Sequence, residues 1–162
     1  MLFRSGGRHI DPIDIDQLKT FVPETFAGLK RTSSSADKSG LGGVVGSKAE
    51  ATYSDGSQKR VRLEVLDSGG ASGLMAFAGW ATLQGESDNA DSSERTQKLG
   101  DRIVHEKASK HAGGTNEVAI LLGNRFVVTA SGEGVDVNGL KSALSSVDLA
   151  KLESMKDFGV SR

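Results

Sequence analysis

The chain has 162 residues, enough for one domain that buries a real core. Its 20 Lys and Arg against 21 Asp and Glu leave a formal net charge of −1, which gives no electrostatic footprint for nucleic acid or an anionic membrane. With no cysteine, disulfides, thiolate catalysis and cysteine-based zinc sites are excluded.

Residues 1–13 carry no apolar core of signal-peptide length. They read as a flexible lead-in or as the remnant of a longer upstream segment. A short helix follows, with Asp14 as its N-cap, Ile15, Leu18 and Phe21 or Val22 on one face, and Pro23 as its stop. Residues 29–36 form a weak polar strand that belongs at an edge. The glycine cluster from Gly40 to Gly46 lacks the Gly-Lys-Ser/Thr of a phosphate loop and the spacing of a dinucleotide fingerprint, so it reads as a turn.

Alternation is clear over 44–54 and 59–67. Ala49, Ala51 and Tyr53 oppose Lys48, Glu50 and Thr52, and Val61, Leu63 and Val65 oppose Arg60, Arg62 and Glu64. Asp55-Gly56 between them is a hairpin signal, and one wet face with one dry face is the antiparallel signature. Residues 68–85 then hold no charged residue and include the single tryptophan, Trp80. Leu74, Phe77, Ala81 and Gln84 share a helical stripe, with Met75 beside it, which predicts a core helix over 71–84. The run is too short for a membrane span, which needs about 20 apolar residues. It has no basic face for lying on a membrane surface.

Residues 85–93 are polar and read as a solvated loop. The spacing of Asp88, Asn89, Asp91 and Glu94 does not match a calcium-binding loop. Two further hairpins follow, 94–99 with 102–110 and 117–122 with 125–130. In the second, residues of both parities are apolar, as in Val118, Ala119, Ile120 and Leu121, so these strands lie mid-sheet under cover on both sides. Asp136 caps a helix bearing Leu140, Leu144 and Val147, and Asp148 starts another with Leu149 and Leu152. The expected domain is 14–156, with a frayed tail over 157–162. Its expected class is α+β: a mainly antiparallel sheet of six to seven strands with helices packed on it.

No motif carries chemistry strongly. His105 and Glu106 are adjacent on a strand and point to opposite faces, so they form no dyad. Glu106 could meet Arg125 or Arg95 across the sheet. The histidines, His9, His105 and His111, are far apart in sequence and match no metal-ligand spacing. There is no nucleophile elbow and no aromatic stacking platform for nucleic acid. No cofactor is expected.

The landmarks Val22-Pro-Glu24, Ala49-Glu-Ala-Thr-Tyr53, Asp67-Ser-Gly-Gly70, Trp80, Glu94-Arg-Thr96, Val104-His-Glu-Lys107 and Asn124-Arg-Phe-Val-Val128 resemble, in that order, an uncharacterised family of small bacterial, exported α+β proteins. The resemblance implies an envelope or periplasmic location and supplies no activity to carry over. On topology alone the layout is also similar to the PsbP-like α/β/α sandwiches. The expected function is a non-catalytic envelope domain that binds a partner protein or a small apolar ligand, with a homodimer open and an immunity protein as a special case. Its candidate surface is Met75, Trp80, His105, Glu106 and Arg125. The alternative is a hydrolase using His105, Glu106 and Arg125.

Overall fold

The structure, a computed structural model, describes residues 13–41, 44–56, 58–67, 85–99, 102–111, 113–123 and 125–156. Their elements are α1 (Ile15–Lys19), β1 (Thr25–Phe26), β2 (Leu29–Leu41), β3 (Val44–Ser54), β4 (Arg60–Asp67), β5 (Gly85–Asp88), β6 (Ser92–Leu99), β7 (Arg102–Ser109), β8 (Asn116–Leu122), β9 (Phe126–Glu133), α2 (Val137–Leu144) and α3 (Leu149–Ser154). The expected helix over 71–84, with Met75 and Trp80, lies outside the described residues.

All strands join one sheet in the order β1-β2-β3-β4-β9-β8-β7-β6-β5, every pair antiparallel. The sheet curls into a half-barrel. This corrects the expected architecture. The sheet has nine strands rather than six to seven, and it dominates the described chain. The helices among the described residues, of 5, 8 and 6 residues, do not make the layers of an α/β/α sandwich. The strands missing from the expectation are β1 and β5, of two and four residues, both at sheet margins. β1 is too short to show any alternation, and the Gly-Glu-Ser-Asp of β5 holds no apolar residue to read. The polar loop expected over 85–93 is in fact the β5–β6 hairpin. Asn89 Oδ1 closes its turn by accepting from the Asp91 and Ser92 amides at 2.8 and 2.9 Å.

Hairpin chemistry sets much of the register. Gly56 takes φ +81° in the β3–β4 turn, a conformation that L side chains rarely adopt. The glycine cluster joins β2 to β3, with Gly40 opposite Val45 and Leu41 opposite Val44. Among the described residues, each helix starts on an aspartate whose carboxylate accepts a backbone N–H. Asp14 takes that of Asp16, Asp136 that of Gly139 and Asp148 that of Lys151, at 2.8, 2.7 and 3.0 Å. Such caps are worth about 1 kcal/mol each.

One sheet face carries the main core. Ala49, Ala51 and Tyr53 of β3, Val61, Leu63 and Val65 of β4, Val128 and Ala130 of β9 and Val118 of β8 pack with Leu18, Leu140, Leu144 and Leu152 from the helices. The other face holds a smaller apolar row, in which Leu66, Val127, Leu121 and Ile103 stand directly opposite one another across β4, β9, β8 and β7. Mid-sheet, β8 and β9 are thus buried on both sides.

Tyr53 is fully buried, packs on Phe26 at 5.4 Å between ring centroids, and donates its hydroxyl to the Pro23 carbonyl at 2.6 Å. Burial pushes its phenol from 10.0 up to about 12. A raised pKa means the folded state holds the proton more tightly than the unfolded state. The resulting stability is present below about pH 10 and lost as pH rises toward about 12. Urea titrations across that window should show a loss of roughly 2–3 kcal/mol in the wild type and a shallower slope in Tyr53→Phe. Equal slopes would show that Tyr53 does not titrate with unfolding.

Candidate functional site

On β7, the neighbours His105 and Glu106 point to opposite faces, as strand geometry requires. His105 is half-buried on the face of the smaller apolar row, level with Ala119 of β8 and Thr96 of β6. Its Nδ1 lies 2.7 Å from the Thr96 hydroxyl, and Thr96 is itself buried.

Glu106 stands on the main-core face, opposite Val118 on one side and Arg95 on the other. The row Leu63–Ala130–Val118 is apolar, and Glu106 and Arg95 continue it in charge toward the β5 margin. Glu106 Oε1 is 3.2 Å from Lys141 Nζ of α2, which ties the helix to the sheet. A cleft of about 410 Å³ opens here, lined by Asp88, Ser93, Arg95, Glu106, Ala108 and Val137. A cleft of about 620 Å³ lies where the β1–β2 turn faces α2, with Thr25, Lys59, Asp136 and Ser142 among its lining.

Arg125 is elsewhere. It is 1% exposed in the β8–β9 turn, and its Nε and Nη2 donate to Oδ1 and Oδ2 of Asp67, both at 2.9 Å. Asp67, fully buried at the end of β4, also accepts the Ile13 amide at 2.7 Å. Arg125 Nη1 donates to the Lys156 carbonyl at 3.1 Å and reaches that of Met155 at 3.5 Å. This one ion pair therefore fastens Ile13, just before α1, and the end of α3 to the middle of the sheet. A second clamp, Arg102 to Glu153 with both bonds at 3.2 Å, holds α3 to β7.

Of the residues singled out from sequence, the structure brings none of His105, Glu106 and Arg125 together. Met75 and Trp80 lie outside the described residues. Asp67 was missed as Arg125's partner. Its signal is parity: after Val61, Leu63 and Val65, the next inward position of β4 is an aspartate, and a buried carboxylate calls for a cation.

Among the described residues, no group of three or more His, Asp or Glu stands close enough to hold a metal ion. No helix among them is long and apolar enough to cross a membrane. Compared with protein-family models, with curated proteins and with solved structures, the chain matches none.

Proposed function

We propose that this protein is a non-catalytic domain that works by binding a partner protein. The observation that carries this reading is the use of Arg125, which is consumed with Asp67 in holding both ends of the described chain to the sheet. Glu106 and His105 likewise contact neighbouring elements, through Lys141 and Thr96, on opposite faces. General acid–base or nucleophilic work needs such groups to converge on one reacting atom. A protein partner suits the molecule better than a small apolar ligand. Such ligands take mostly apolar concavities, whereas five of the seven residues lining the cleft at Glu106 are charged or polar. The envelope location implied by the resemblance belongs to the same proposal, and fractionation of producing cells tests it.

The functional test is a screen of generic ester, phosphoester and glycoside substrates with wild type, His105→Ala and Glu106→Gln. The expected result is no turnover above background in any of the three. Each variant is expected to lose about 1 kcal/mol of stability or less, from one hydrogen bond or one partly exposed ion pair. Robust wild-type turnover that either change abolishes, with the fold intact, would overturn the binding reading.

A further inference from the structure

β2 is the longest strand, with 13 residues, and it forms one long margin of the sheet. β1 covers only its start: Phe26 lies opposite Leu29, Thr25 opposite Lys30, and the Arg31 amide donates to the Glu24 carbonyl at 2.9 Å. From Ser33 onward, no described strand lies on its outer side. An edge of that length presents a row of backbone donors and acceptors ready to pair with another chain. The usual guards against such pairing sit at its ends. Lys30, Arg31 and a bulge between Arg31 and Ser33 are at one end, and Lys38 is at the other. Between them Ser33, Ser34, Ser35 and Ala36 are small and uncharged. The side chains from Lys30 to Ser35 are exposed, and Ala36 packs on the main core.

We infer that the outer edge of β2 is the docking site, and that its occupant is an acidic, extended segment of a partner protein added as a further strand. This rests on the reading of the protein as a binding domain, and it names the surface and the partner's chemistry. Main-chain hydrogen bonds would supply affinity in such an addition, and side chains along the edge would supply selectivity. Lys30 and Arg31, at the start that β1 covers, and Lys38 farther along stand against two anions, Asp37 and Glu24, whose backbone pairs with Arg31. The nearest carboxylate on β3, Glu50, is already engaged by Arg62 and Lys48. The Arg62 hydrogen bond, foremost among its neighbours, holds that carboxyl below its ordinary range. The edge therefore keeps a net positive charge. An acidic segment complements it, whereas a second copy of the chain brings the same sign.

The test uses the full chain with labelled peptides of alternating Glu–Thr, Glu–Val and Asp–Ser sequence. Saturable binding that weakens as salt is added is expected. Consecutive strand residues point their amides to opposite sides, so either Ser34→Pro or Ser35→Pro removes an outward N–H and spares the pairing with β3. The proline variant that keeps its fold by circular dichroism should bind at least about tenfold more weakly. If both unfold, the Lys30→Glu/Lys38→Glu variant carries the test: it should lose the acidic peptides and gain an alternating Lys–Thr peptide. Failure of every acidic peptide to bind, or binding indifferent to these changes, overturns the inference. Concentration-dependent dimers abolished by the folded proline variant would put a second copy on the edge, overturning the acidic partner but leaving a binding domain. Turnover in the substrate screen would instead remove the binding reading itself.

Discussion

Arg125→Met is expected to cost the fold about 3–5 kcal/mol, a large share of the stability of a domain this size. The guanidinium is 1% exposed and makes two bonds to a carboxylate that is itself fully buried. Methionine fills much of the space but takes both guanidinium bonds from the buried Asp67 carboxylate, which still accepts the Ile13 amide. The Lys156 carbonyl loses its donor as well. Asp67→Asn should cost a similar amount for the mirror reason, an unpaired buried cation. Replacing both partners, as Asp67→Leu with Arg125→Met, should cost less than the sum of the single changes, because no lone charge then remains. Urea denaturation of the four proteins reads this cycle directly. A loss below about 1 kcal/mol in the single variants would mean that the pair is solvated.

The second large effect is a comparison of sheet faces. Leu121→Asp and Val127→Asp point to the smaller apolar row, while Val118→Asp and Val128→Asp point to the main core. All four side chains are at most 4% exposed. Each variant should therefore lose several kcal/mol, since no cation stands directly opposite any of the four positions to pair with the new carboxylate. Thermal melts that are native-like for Leu121→Asp or Val127→Asp, with Val118→Asp unfolded, would mean that the second face is wet. That outcome would remove the two-sided burial of β8 and β9.

That two-sided burial was legible in the sequence, because the run Val118-Ala-Ile-Leu121 has apolar residues of both parities. The β3–β4 hairpin was legible too, through the alternation ending at Tyr53 and the Asp55-Gly56 turn. Asp14, Asp136 and Asp148 were readable as caps because capping is a local hydrogen bond with a fixed offset. What escaped lay at the margins or depended on distance along the chain. β1 is only two residues long and β5 is short and polar, so the strand count came out low. Residues 37–41 were read apart from β2 because glycines break the pattern where the strand runs into its turn. The placing of β9 beside β4 joins Val65 to Val128, and no local signal spans that separation. The Asp67–Arg125 pair bridges 58 positions for the same reason. Its two halves carry only separate hints: an acid at an inward strand position, and a cation in a turn between buried strands. For the candidate site, adjacency of His105 and Glu106 correctly excluded a dyad. Sequence could not show that Arg125 was already committed elsewhere.

Amide hydrogen exchange along β2, with and without the alternating Glu–Thr peptide, is the most direct measurement of whether this protein works through its sheet edge. Docking there predicts slowed exchange at the outward-facing amides of residues 33–36, with β8 and β9 unchanged. Exchange along β2 that ignores the peptide, or protection confined to the cleft of Glu106 and Arg95, would contradict it.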